Sequence, residues 1–192
     1  EKKNMKLLDI WKTRTLHHLL RMGYPSTNNV VTLYHDGNYA FNGMWEAINQ
    51  ANKYIYIETY IIKDDYIGQE TIKYLIKAAK RNVKIILMYD NFGSYELMIN
   101  TTFLSPLKKY NNIQIIPFNP IILPKVDNTV WFRNHRKLMI IDDYVAFCGG
   151  MNIASEYCKE FRDTHCRVIG PAVLDLKKVF IDSIYEAVPN PT

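Results

Sequence analysis

Hydrophobic and polar positions along the chain change period several times, and the changes divide it into elements. Over residues 5–22, Leu7, Leu8, Trp11, Leu16, Leu19 and Leu20 recur near helical spacing, while Lys6, Lys12, Arg14, His17, His18 and Arg21 fill the remainder. A basic amphipathic helix is expected there, packed on its own domain or lying on an anionic membrane surface. After Gly23-Tyr24-Pro25, the run Val30-Val31-Thr32-Leu33 reads as a strand and His35-Asp36-Gly37 as a turn. Met44, Trp45, Ile48 and Ala51 form the buried stripe of a helix over residues 41–52. A β-rich alternating segment over 54–60, a helical period over 68–81 and an apolar strand over 83–89 follow. Strand, helix and strand in alternation are the pattern of βαβ units.

The second half is patterned less evenly. A helix is expected within residues 105–110 and a short strand over 113–118. Residues 119–132 carry Pro120, Pro124, Ile121-Ile122-Leu123 and Trp131-Phe132, which reads as a loop with apolar content. The apolar run Leu138-Met139-Ile140-Ile141 predicts a strand from Arg136, residues 164–169 predict another, and residues 171–187 a closing helix. Pro171 suits an early helical position, and Val173, Leu176, Phe180, Ile184 and Ala187 fall on one stripe. The expected organisation is a basic helical segment over 1–28, an α/β unit over 29–188 and the start of a linker at 189–192.

Composition narrows the function classes. The 192 residues are 48% hydrophobic and 22% charged, enough for one sizeable core. A net charge of +5 and a pI near 9 favour anionic partners, either acidic lipid or nucleic acid. Heavy use of lysine, asparagine, isoleucine and tyrosine weakens that inference, because coding bias produces the same balance. No run of 18 or more apolar residues is present in this sequence. Cys148, Cys158 and Cys166 lack paired metal-binding spacing, so neither a zinc site nor a disulfide framework is indicated, and free thiols in a reducing compartment are expected. Cys148 lies in an apolar run, Val145-Ala146-Phe147-Cys148, as a small buried residue.

The densest chemistry lies between His135 and Asn152. His135, Lys137 and Asp142 stand in the spacing HxK(x)4D, followed by Gly149-Gly150-Met151-Asn152. If residues 136–141 form a strand, positions two apart share a face, so His135 and Lys137 converge on one site. Imidazole is nucleophilic while neutral near pH 7, and the lysine brings positive charge suited to phosphate oxygens. Phosphoryl transfer asks for little beyond positioning and charge neutralisation.

These residues resemble the phospholipase D superfamily. Further runs are similar to its cardiolipin synthase branch: His135-Arg136-Lys137-Leu138-Met139-Ile140-Ile141-Asp142, Phe147-Cys148-Gly149-Gly150-Met151-Asn152, Phe161-Arg162-Asp163-Thr164-His165, Tyr56-Ile57-Glu58-Thr59-Tyr60 and Asp90-Asn91-Phe92-Gly93-Ser94. The resemblance spans roughly residues 30 to 180 and implies an α/β fold, an α/β/α sandwich around a mixed, largely parallel sheet. It implies that His135 attacks the phosphodiester phosphorus to give a phosphohistidine, while Lys137 and Asn152 hold the non-bridging oxygens. Asp163 would hydrogen-bond a catalytic imidazole. Asp142 would support the turn at Asp142-Asp143, with Gly149 and Gly150 completing the motif. Gly150 departs from the serine of many members, although Gly-Gly is common in the cardiolipin synthase branch. His165 reads as structural. No metal and no cofactor are expected.

In this family the leaving alkoxide is protonated by the histidine of a second signature across a pseudo-two-fold interface. This sequence carries one, so the second half is expected in a longer polypeptide or in a homodimer partner. The leading function is transfer of a phosphatidyl group from an anionic phospholipid such as phosphatidylglycerol to the hydroxyl of another, at a membrane surface and on its reducing side. Lipid hydrolysis uses the same chemistry with water as acceptor. A homodimeric phosphodiesterase acting on nucleic acid, and a non-enzymatic half-domain, are the competing readings.

Overall fold

The computed structural model describes residues 26–120 and 131–187, together with Thr15. The basic segment expected over residues 1–28, apart from Thr15 and residues 26–28, most of the loop over 119–132 and the linker start at 189–192 lie outside the described residues. Seven strands form one sheet: β1 (Val30–Tyr34), β2 (Tyr54–Thr59), β3 (Lys84–Asp90), β4 (Ile113–Phe118), β5 (Leu138–Ile141), β6 (Val145–Gly149) and β7 (His165–Ile169). Their spatial order is β1-β7-β6-β5-β2-β3-β4. The sheet is mixed, as expected, but parallel pairing is confined to β2-β3 and β3-β4, and the other four pairs are antiparallel. Five strands nevertheless share one direction, with β5 and β7 running against them. For β5 and β6 the cause is their short connection. A parallel pair needs a crossover of a dozen or more residues, and three residues between Ile141 and Val145 permit only a hairpin.

Helices cover both faces of the sheet. On one side lie α1 (Gly37–Gln50) and α2 (Tyr66–Lys80); after the single-turn α3 (Glu96–Ile99) and α4 (Glu156–Lys159), α5 (Ala172–Ala187) covers the other. Strand alternation assigns the faces. In β5, Met139 and Ile141 join the α1/α2 core, while Leu138 and Ile140 join the α5 core. Trp45 of α1 stacks on Tyr74 of α2 at 5.5 Å between ring centroids and donates its indole N–H to Thr71 Oγ1 at 3.1 Å. On the opposite face Phe180 of α5 stacks on Tyr56 of β2 at 5.0 Å.

Several boundaries differ from the sequence expectation, each for a local reason. The turn expected at His35-Asp36-Gly37 is the N-terminus of α1. Asp36 caps it, its Oδ1 accepting from Asn38 N at 2.7 Å, so the helix begins at residue 37 rather than 41. The helix expected within 105–110 is a single 3-10 turn, Leu107–Lys109. The strand expected from Arg136 starts at Leu138, and residues 132–137 run irregularly into it. Among the described residues no helix is long and apolar enough to cross a membrane.

Candidate active site

The irregular stretch before β5 brings His135 and Lys137 together without the expected strand. Lys137 Nζ lies 2.9 Å from His135 Nδ1 and donates to the His135 carbonyl at 2.7 Å. Lys137 is only 7% exposed, and the aromatic ring of Tyr60 lies 4.6 Å from the His135 ring and 5.3 Å from Lys137 Nζ. Burial of the ammonium pushes Lys137 down to about 8, partly offset by the nearby Asp163 carboxylate. Burial and then the Lys137 charge hold His135 below the usual imidazole range, with Asp90 pulling the other way. The imidazole is therefore neutral, and nucleophilic, at pH 7.

Asn152 enters from the other side, just beyond β6. Its Oδ1 accepts from Ile61 N at 2.9 Å, and its Nδ2 donates to Tyr157 OH of α4 at 2.5 Å. One of the two amide hydrogens remains beyond that bond. The two glycines ahead of it have separate reasons. Gly149 has φ 151°, which side chains rarely adopt, and a Cβ at Gly150 would overlap the Asp163 carboxylate. Asp163 accepts from Thr164 N at 2.6 Å and stands on the Lys137 side of the site. On the His135 ring, Nδ1 faces Lys137.

Asp142 lies at the far end of β5 from His135. Its carboxylate accepts from Asn52 N at 2.6 Å, Lys53 N at 2.9 Å and Tyr54 N at 2.8 Å, which pins the start of β2 to the β5–β6 turn. Asp142 and Asp143 both have positive φ, 55° and 57°, and Tyr144 N donates to Ile141 O at 3.0 Å across that turn. This is the turn-supporting place expected for the motif aspartate. His165 is buried in β7, where burial pushes its imidazole down to about 4. It lines a small cavity beside Lys137 and Glu58.

Three neighbours of the signature were not singled out from the sequence. Asp90 and Glu58, 1% and 2% exposed, are carboxylates at the ends of β3 and β2, and both reach Asn134, the residue before His135. The two runs that contain these carboxylates, residues 56–60 and 90–94, were visible only as a family likeness. Nothing in their local pattern says that they meet in space. Phe118, Arg133, Asn134, His135, Arg136 and Glu186 line an open cleft at the same end of the sheet. Chemically the arrangement offers a neutral imidazole, an adjacent ammonium, a fixed carboxamide and cleft-lining guanidinium groups. That suits attack on a phosphodiester whose anionic oxygens need neutralising. Among the described residues no group of three or more His, Cys, Asp or Glu side chains is placed to hold a metal ion.

Known proteins share both the sequence and the fold. The family model described as cardiolipin synthase, PLD-like domain, matches residues 44–182. A cardiolipin synthase of Halalkalibacterium halodurans is 35% identical over 175 residues, covering 85% of this chain and 34% of the relative. Cardiolipin synthase 1 of Bacillus anthracis is 38% identical over 167 residues, covering 83% of this chain and 32% of the relative. The chain thus spans about a third of the length of these relatives. Among solved structures, NucT of Helicobacter pylori superposes with a TM-score of 0.64 at 17% identity, over 84% of this chain and 99% of NucT. Nuc of Salmonella typhimurium, a phospholipase D family member, gives 0.63 at 14% identity, over 84% and 97%. At that identity the two structures speak for the fold alone. Sequence and architecture lead to one assignment: the chain belongs to the PLD-like domain family of cardiolipin synthases.

Proposed function

We propose that this chain is one catalytic half of a phosphatidyltransferase of cardiolipin synthase type. The observation that carries the reading is the contact between His135 and Lys137 at the end of the sheet, with Asn152 held by the N–H of Ile61, the residue after the Tyr60 whose ring lies against His135. His135 attacks the phosphorus of an anionic phospholipid such as phosphatidylglycerol, and the alcohol of the headgroup leaves with a proton from an acid in a second half-site. The hydroxyl of a second phospholipid then attacks the phosphohistidine, giving its proton back to that acid as the P–N bond breaks, which restores the imidazole and completes the transfer. Lys137 and Asn152 neutralise and orient the non-bridging oxygens in both steps. Asp163, placed near Lys137, favours the charged form of that ammonium against the effect of burial. The second half is supplied by a longer polypeptide or by a second copy, and the reaction takes place at a membrane surface.

The test uses the parent-length protein and a His135→Ala control on phosphatidylglycerol vesicles in chelator, with products followed by lipid mass spectrometry. Cardiolipin from the unaltered protein alone is the expected result. Phosphatidic acid without cardiolipin would replace transfer by hydrolysis. No lipid turnover, combined with cleavage of nucleic acid that weakens steeply with salt, would overturn the lipid reading altogether.

A further inference from the structure

We propose that Asn134 is the positioning residue for His135, and that the buried carboxylates Glu58 and Asp90 exist to hold it. The inference rests on the reading of His135 as nucleophile. Residues 132–137 lack strand hydrogen bonding, so something other than the sheet must fix the imidazole. Asn134, 5% exposed, meets that need with three of its polar groups. Its backbone N–H donates to Asp90 Oδ2 at 2.9 Å, its Nδ2 donates to Glu58 Oε1, and its Oδ1 accepts from Arg136 N at 3.1 Å. The last of these folds residues 134–136 into an Asx turn with His135 at its apex.

The holders are themselves rigid. Asp90 ends β3 and accepts from Phe92 N and Gly93 N, both at 2.9 Å, which locks its carboxylate against the following turn. Glu58 lies on β2 opposite Met88 in the parallel register, and Asp90 follows two residues later on the same face of β3. Both carboxylates therefore point to the α5 side and converge on Asn134 from adjacent strands.

Stability does not explain this arrangement. Burying two carboxylates is costly even with Arg136 3.9 Å from Glu58 and Arg133 3.4 Å from Asp90, and well-packed apolar residues of the same volume often serve a fold as well or better. Burial pushes the Glu58 carboxyl above its ordinary range, and its Oε2 has no hydrogen-bond partner among the described residues. What the pair delivers is directional. Two acceptors fix one asparagine, and the asparagine fixes the orientation of the next residue.

The experiment compares Glu58→Gln, which keeps an acceptor for Asn134 Nδ2, with Glu58→Met, which keeps the volume and removes the acceptor. Both are made in the parent-length protein, with melting midpoints taken as a control for folding. Cardiolipin formation is measured together with the rate of His135 carbethoxylation by diethyl pyrocarbonate, read by peptide mass spectrometry. Glu58→Met is expected to lose about 100-fold in kcat, the scale of a misplacement near 1 Å, with little change in KM. Its His135 is expected to be modified several times faster, while Glu58→Gln stays near the unaltered protein in both measurements. If Glu58→Met does not fold, Asn134→Ser, which drops the Glu58 contact and keeps the backbone bond to Asp90, is expected to give the same pattern. Unchanged kcat and modification rate in the variant lacking the contact, or equal losses in Glu58→Gln, would overturn the proposal. An unaltered protein that forms no cardiolipin would instead sink the phosphatidyltransferase reading, and the modification rates would still decide whether Asn134 is held as described.

Discussion

Lys137 sits where its own charge is expensive, which makes it a sensitive residue to probe. Burial brings its folded pKa to about 8, against 10.5 for the free side chain. Between those values the unfolded chain holds a proton that the folded chain has released, so folding stability rises with pH across that window. Activity should move the other way, because phosphate neutralisation requires the charged form. The transfer rate is expected to fall as pH passes about 8, and to fall on the acid side below the ordinary imidazole range, where His135 becomes protonated. A rate profile that stays level from pH 7 to 10 would contradict the role of Lys137. Lys137→Met should abolish turnover while leaving the melting midpoint unchanged or higher, since it removes a buried charge. Cys148 gives an independent check on packing. Burial, with Cys166 opposite, pushes its thiol up to about 12, so Cys148 in the native protein should be alkylated by iodoacetamide at pH 8 more slowly than in the unfolded chain, read by peptide mass spectrometry.

Asp142 shows how one side chain ties elements together across a long separation. It joins the β5–β6 turn to the start of β2 through three backbone amides and lies away from the nucleophile. Asp142→Ala should therefore cost about 2 kcal/mol of stability, read as a drop in melting midpoint, with KM near that of the unaltered protein at temperatures where the variant is folded. On the proposed reading, the signature joins two residues that meet the substrate to one that holds a turn. Legibility at this scale followed the strength of the local pattern. The bounds of β4 were readable from an apolar run, and the meeting of His135 with Lys137 from their spacing, whereas Asn152 was named only through the family likeness. The start of α1 was not, because Asp36-Gly37 serves equally as a turn and as a helix cap. The irregular stretch before β5 was hidden too, since it is imposed by Glu58 and Asp90 from distant strands. Single turns such as α3 and α4 are too short for any periodic signal.

At the scale of the whole molecule the proposed scheme makes this site half of a reaction centre, with His135 as the group that takes the phosphatidyl unit. One imidazole can accept the phosphatidyl group, but the departing alkoxide needs a proton that His135, already bonded to phosphorus, does not supply. The relatives are about three times as long as this chain, which supports a second half in a longer polypeptide. Pairing of two copies of this chain is the other arrangement that the proposed scheme allows. The 192-residue chain held as a monomer is expected to show little or no turnover, and mixing it with the missing half should restore activity. Sedimentation run alongside the assay checks this, and full activity from a monomer would exclude the half-site scheme. The most direct single measurement is the covalent intermediate itself. Parent-length protein is mixed with phosphatidylglycerol, quenched within milliseconds at alkaline pH and digested for mass spectrometry. An acid-labile phosphatidyl adduct on His135, absent from His135→Ala, is the result that phosphatidyl transfer through His135 predicts. Cardiolipin formed at full rate with His135 unmodified, or by the alanine variant, would contradict it.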